Sequence, residues 1–117
     1  MIMHELGVVF HVIKIVEEIA TENELTEVES VTLELGEVSG VIESYLQNCW
    51  KWAVKKRSEI LKDAVLKVET IPAVTYCESC RRVYGTIEHG KICPYCRSDN
   101  TYLQQGNEFQ IKEISAC

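Results

Sequence analysis

The chain has 117 residues, a formal net charge of −6 and 46 % apolar against 26 % charged residues, the balance of a soluble, folded domain. No apolar run approaches the ~20 residues that would span a bilayer, and the opening Met1-Ile2-Met3-His4-Glu5 lacks the basic leader and cleavage site of a secretory signal, so the expected place is the cytoplasm. Nine glutamates and no Lys or Arg fall between Ile15 and Trp50, a solvated acidic surface that repels nucleic acid and suits a basic protein partner.

Leu6, Val9, Phe10, Ile13, Val16 and Ala20 recur at helical spacing, which predicts an amphipathic helix over 4–24. Val31, Leu33 and Leu35 then alternate with Thr32 and Glu34, a half-buried strand ending at Gly36, and 36–40 reads as a loop. A second helical stripe follows at Ile42, Tyr45, Leu46, Cys49, Trp52 and Ala53, with Lys55, Lys56 and Arg57 suiting the negative end of the helix dipole. A strand is predicted over 64–71, stopped by Pro72, and a late strand over 107–114. Between them the aliphatic periodicity fades, and cysteine, tyrosine and turn residues dominate. The expected organisation is α+β: two helices packed on a three-stranded sheet in one domain, 1–72 with 107–117, and an inserted zinc-ribbon-like module over 73–106.

The chain has six cysteines, and in a reducing compartment such a set argues for metal rather than disulfides. Cys77-Glu78-Ser79-Cys80 and Cys93-Pro94-Tyr95-Cys96 are separated by twelve residues. Each CxxC turn presents two thiolates on one side of a knuckle, and two facing knuckles supply the tetrahedral sulfur set that Zn(II) prefers. Four cysteines close the coordination sphere, so the expected zinc is structural. His89 is read as a loop residue, or as a hydrogen-bond donor or replacement ligand for that site. The module carries Arg81, Arg82, Lys91 and Arg97 against Glu78, Glu88 and Asp99, an excess too small for a phosphate-binding face.

A different metal chemistry is available at the start of the chain. If Met3 is the initiator, its free amine, the imidazole of His4 and deprotonated backbone amides can close short chelate rings around Ni(II) or Cu(II). Glu5 could add an oxygen ligand or orient the histidine. The same residues also fit an ordinary helix start, with Glu5 favoured by the positive end of the dipole. His11 falls on nearly the same helix face as His4 and reads as an ordinary helix residue.

Met3-His4-Glu5-Leu6, Leu35-Gly36-Glu37-Val38-Ser39, the paired CxxC elements and Gln105-Gly106-Asn107-Glu108 together resemble the HypA/HybF family of nickel-incorporation proteins of hydrogenase maturation. The resemblance covers nearly the whole chain from Met3. It implies a nickel metallochaperone, not an enzyme, with nickel ligands at His4, Glu5 and Met3 and zinc ligands at Cys77, Cys80, Cys93 and Cys96. The partners it implies are the accessory GTPase HypB, the large subunit of [NiFe]-hydrogenase and, for some members, urease maturation. No nucleic acid or membrane is implied. One departure is that the histidine stands fourth, after Met1-Ile2-Met3, rather than second. Glu43 is a further acidic candidate near that site. The alternative reading is a zinc-ribbon regulatory or nucleic-acid-associated protein.

Overall fold

The structure is a computed structural model that describes the backbone of residues 2–116 and the side chains of residues 5–116. Helix α1 (Ile2–Glu22) buries Val9, Val12, Ile13, Val16 and Ala20, with Leu6 and Phe10 half-buried beside them. Glu5 continues the inward line of Val9, Val12 and Val16 and is fully buried. The helix closes where Glu24 takes φ 55 and the Leu25 N–H donates to the Ala20 carbonyl at 2.9 Å. That is a left-handed stop of the kind glycine usually provides.

Strand β1 (Val28–Gly36) leads to helix α2 (Glu43–Arg57), whose last turn carries Lys55, Lys56 and Arg57. Here the structure departs from the periodicity. The buried face of α2 is Leu46, Cys49, Trp50, Ala53 and Val54, whereas Ile42, Tyr45 and Trp52 are exposed. Trp50 is the inward indole because its Nε1–H donates to the Ala64 carbonyl at 2.9 Å, satisfying the polar edge of a ring that is 2 % exposed. Gln47 adds a second tether, its Nε2 donating to the Leu66 carbonyl at 2.8 Å. Trp52 instead lies on the outer side, its ring centroid 6.4 Å from Phe10, and the Arg57 guanidinium stands 4.6 Å above the Phe10 ring.

Strands β2 (Val65–Ile71) and β6 (Phe109–Ala116) flank β1 in a sheet of order β2-β1-β6. The middle strand buries Val31, Leu33 and Leu35, as the alternation requires, but Ser30 and Thr32 on its other face are also buried. Lys112 on β6 donates to Glu69 on β2 at 2.8 Å. Two strand spacings are roughly 10 Å, so this pair reaches over β1. Both side chains are about half exposed, so the pair contributes little energy. Its place above the middle strand accords with the buried outer face.

The second sheet consists of β3 (Val74–Cys77), β4 (Val83–Gly85) and β5 (Thr101–Gln105), in the order β4-β3-β5 with both pairs antiparallel. A short helix, α3 (Thr86–His89), follows β4. Tyr76 stands opposite Tyr102, and the two rings are 5.4 Å apart. The buried cluster of this sheet is Cys77, Tyr84 and Cys93, with Cys80 packed against it. Cysteine thus supplies most of a core too small to hold the module alone.

By contact the chain divides into two compact units, Met1–Leu33 with Val41–Glu69 and Gln110–Cys117, and Glu34–Gly40 with Thr70–Phe109. Within the second, the loop after β1 is pinned by backbone bonds: Gly36 N–H to the Glu108 carbonyl, Glu37 N–H to Ile71, and Val38 N–H to Gly106, each 2.8 Å. A carboxylate oxygen of Glu37 accepts the Ala73 N–H at 2.8 Å, and one of Glu108 accepts the Gly106 N–H at 2.7 Å. A Cβ on Gly36 would lie 2.1 Å from the Gly106 carbonyl oxygen, so the close approach of these two backbones requires glycine.

Candidate metal centre

Each CxxC element forms the same turn. In the first, the Arg81 N–H donates to the Cys77 carbonyl at 2.8 Å and the Cys77 N–H to the Arg82 carbonyl at 2.9 Å. In the second, the Arg97 N–H donates to the Cys93 carbonyl and the Cys93 N–H to the Ser98 carbonyl, both 2.9 Å. The residue after the second cysteine is left-handed in both, Arg81 at φ 62 and Arg97 at φ 66. The hydroxyls of Ser79 and Ser98 meet at 2.8 Å and tie one knuckle to the other.

This geometry brings four sulfurs together. Cys77 and Cys96 Sγ are 3.6 Å apart, Cys80 and Cys93 Sγ are also 3.6 Å apart, and all four lie within 4.8 Å of one another. No pair is near the about 2.0 Å of a disulfide, and none is bonded. Four sulfurs about 2.3 Å from one tetrahedral ion stand about 3.8 Å from each other. The cluster therefore has the donors and the spacing to hold a metal ion.

The thiols differ in environment. Burial, and hydrogen bonding among the neighbouring thiols, push Cys80 up to about 12 although the Arg82 N–H acts the other way. Burial also opposes ionisation of Cys93, but the N–H groups of Cys96 and Tyr95, with the adjoining thiols, hold it at about 7. The Tyr95 N–H points at Cys93 Sγ from 3.4 Å. A cation among these sulfurs favours the thiolates and releases protons as it binds. Around the cluster, the Tyr84 hydroxyl donates to the Gly90 carbonyl at 2.9 Å, and the Arg82 guanidinium lies 4.9 Å over the Tyr95 ring. His89 is exposed, stands edge-on to Tyr84 with ring centroids 5.8 Å apart, and is not among the clustered donors.

At the other candidate site, the side chains of Met3 and His4 lie outside the described residues, and their backbone is the first turn of α1. Glu5 is described and was not foreseen as buried. Its Oε2 accepts the Ile42 N–H at 3.0 Å. Burial works against its charge, but the Ile42 N–H and its own backbone N–H hold the carboxyl below the ordinary glutamate range. Cys49 is buried on α2, and its thiol is raised by burial and then by the Glu5 charge. Glu43 and His11 are exposed. The only sequence signal for an inward Glu5 is its spacing from Val9, Val12 and Val16, which a polar residue conceals.

The segments 35–39 and 105–108, joined by the hydrogen bonds around Gly36 and Gly106, have no metal donor among the clustered residues. Their motifs mark a backbone junction.

Over residues 3–116 the chain matches the HypA family, described as hydrogenase/urease nickel incorporation, metallochaperone. It is 30 % identical over 112 residues to the hydrogenase maturation factor HybF of Morganella morganii, covering 96 % of this chain and 97 % of that protein. It is 33 % identical over 112 residues to the hydrogenase maturation factor HypA of Trichodesmium erythraeum, covering 96 % and 94 %. The solution structure of the Ni metallochaperone HypA from Helicobacter pylori superposes with a TM-score of 0.70 at 26 % identity, covering 96 % of each chain. A second solution structure of a HypA protein reaches 0.74 at 28 % identity, covering 98 % and 97 %. With matching motifs, matching length and matching fold, the chain belongs to the HypA family of nickel-incorporation metallochaperones.

Proposed function

We propose that this chain carries Ni(II) at its N-terminus as cargo for the maturation of [NiFe]-hydrogenase, and holds a structural Zn(II) through Cys77, Cys80, Cys93 and Cys96. The observation that supports it best is that the family match runs unbroken from Met3 across all four clustered cysteines. Zinc suits a closed set of four sulfurs at these spacings. When bound it supplies folding free energy to a module with little apolar core, and no open position for chemistry.

The imidazole of His4 and an amine at Met3 are the proposed nickel donors, with Glu5 part of the same site. A helix start suits them, because the N–H groups of a first turn have no intrahelical acceptor and can be given up to a metal. Deprotonated amides also offset the positive end of the helix dipole, which otherwise repels a cation. The chain acts as a carrier, not a catalyst, and works in the cytoplasm with the GTPase HypB and the hydrogenase large subunit, or with urease maturation. The functional partition we propose is 1–72 with 107–117 for nickel and 73–106 for zinc. Among the described residues no helix is long and apolar enough to cross a membrane. A zinc-ribbon regulator is not favoured, since the matched relatives are maturation factors.

The test is a nickel titration of zinc-loaded chain in two versions, one starting at Met1 and one at Met3. The expected result is one nickel bound by the Met3 version, lost in His4→Ala with zinc content unchanged. Equal binding by both versions removes the amine from the ligand set. If neither binds, the carrier reading fails.

A further inference from the structure

Strand β2 is an edge of its sheet, with β1 on one side and no strand on the other among the described residues. The Glu37 N–H, just past β1, donates to the Ile71 carbonyl at 2.8 Å, so Ile71 turns its backbone groups toward β1. Alternation turns those of Val65, Lys67 and Glu69 the same way, and those of Leu66, Val68 and Thr70 outward along the edge. The side chains of α2 agree with this: Trp50 Nε1 and Gln47 Nε2 donate to the Ala64 and Leu66 carbonyls. They cover the start of the edge. The outward groups of Val68 and Thr70 meet no further strand among the described residues. Such an edge is a template for another strand.

The side chains decide which strand fits. Val65, Lys67, Glu69 and Ile71 share one face of β2, and the first three are exposed, Val65 at 56 %. Lys112 donates to Oε1 of Glu69 at 2.8 Å and holds that carboxylate on the same face. When two β2 strands pair antiparallel, outward residues must meet outward residues, so the open registers differ by slides of two residues. The register centred on Val68 overlaps the whole strand. It sets Lys67 against Glu69 of the second copy, Glu69 against its Lys67, and Val65 against its Ile71. A slide of two residues either way sets Lys67 against Lys67 or Glu69 against Glu69. A single edge charge ordinarily discourages pairing; at this spacing the two charges admit one register and reject its neighbours. The Leu66 carbonyl, already taking Gln47, has a second lone pair for the Thr70 N–H of the second copy. Lys51, Lys55 and Lys62 gather at the Val65 end, beside Ala64 and Leu66. The two-fold sends the two lysine groups to opposite ends of the joint, roughly 20 Å apart at the rise of an extended chain, where salt screens them.

We infer that the edge of β2 is a self-association surface: two copies of this chain pair their β2 strands antiparallel about Val68, joined by Lys67–Glu69 pairs and Val65–Ile71 contacts. The same patch serves both copies, so assembly closes at a dimer. A joint of 7 residues is smaller than a permanent interface, so the dimer is reversible. Neither metal takes part.

The test is sedimentation of the zinc-loaded full chain at low salt, as wild type, Lys67→Glu and Glu69→Lys, each checked by circular dichroism and zinc content. Wild type should pass from monomer to dimer over about 1–300 µM, the range of a small interface. Each reversal alone should weaken association about tenfold or more, because the two-fold carries it into two pairs that become like-charged. An equimolar mixture of the two variants should dimerise again, since each charge then meets its opposite across the joint. Hydrogen exchange at the N–H groups of Leu66, Val68 and Thr70 should slow with concentration, while that of β4, an edge of the other sheet, should not. A monomer throughout the range overturns the inference. So does a dimer that neither reversal weakens, a mixture that does not restore association, or exchange at those three residues that ignores concentration. If Glu69→Lys does not fold beside Lys112, Glu69→Gln takes its place and must also weaken the dimer.

Discussion

The two units hold their candidate metal donors in opposite ways. In the cysteine-bearing unit every donor comes from one stretch, 77–96, and each pair is set by bonds within its own knuckle. In the helical unit the candidate donors sit on one helix end, where the carboxylate of Glu5 accepts an N–H from Ile42, 37 residues away. A site built from local turns can be recognised from spacing alone, because the turn and the chemistry share the same residues. A site built on a helix end cannot, because what organises it is tertiary. The first kind tolerates changes elsewhere in the chain and fails when a ligand is lost. The second kind is sensitive to packing residues that carry no metal chemistry.

The largest effect that would sharpen this contrast is loss of a buried candidate ligand. Cys93→Ser should release zinc and open residues 73–106 to protease, while the helical far-UV signal is kept, since the small Cys77–Tyr84–Cys93 cluster has little else to hold it. Cys49→Ser should leave zinc content unchanged, because Cys49 is not among the clustered sulfurs. Zinc retained by Cys93→Ser with normal protease resistance would break the distinction between the units.

Next in size is the core of the helical unit. Trp50→Ala should cost about 3–5 kcal/mol, the range for removing a buried aromatic, because Trp50 is 2 % exposed and its indole N–H holds the Ala64 carbonyl. Trp52→Ala, at 51 % exposure, should cost well under half of that. Urea midpoints of the two variants decide the matter, and equal losses would mean that the inward face of α2 is wrongly drawn. A smaller loss, about 2 kcal/mol, is expected for Gly106→Ala, which forces an L-residue to φ 118. Its Cβ would also stand 2.4 Å from the Ala73 Cα. An unchanged thermal midpoint would show that the junction around Gly36 and Gly106 is slack.

These residues also show what the sequence made legible. The four cysteines, the α+β class and the order of the two long helices and the three strands of the first sheet follow from spacing and periodicity; the three short strands and the helix turn between 73 and 106 do not, because cysteine and turn residues replace the apolar alternation there. The inward face of α2 does not: apolar residues at 45, 46, 49, 50, 52, 53 and 54 are compatible with two faces about 100° apart. What selects Trp50 over Trp52 is a carbonyl at Ala64, beyond the helix. Glu5 was hidden for a related reason. A charge at an inward position reads as the edge of the polar face, and its acceptor role toward Ile42 becomes visible only in the fold. The motifs around Gly36 and Gly106 were visible as motifs, but their meaning as a backbone crossing appears only when both segments are side by side.

The smallest expected effect tests whether the two knuckles are equivalent as turns. Arg81 and Arg97 each hold a left-handed backbone directly after a CxxC element, where an L-residue is disfavoured and glycine is not. Each Arg→Gly change relieves that strain but frees more of the unfolded chain, so the net gain should be only about 0.5 kcal/mol per site. The gains should add in the double variant, because each site lies in its own turn. Slower zinc loss to a chelator is the readout, with thermal midpoint as its check. A loss of stability at Arg81 alone would mean that its side chain, and not only its backbone, supports the first knuckle. The two CxxC elements would then be alike in hydrogen bonding yet unlike in what holds them, and the purely local account of the cysteine unit would have to give way.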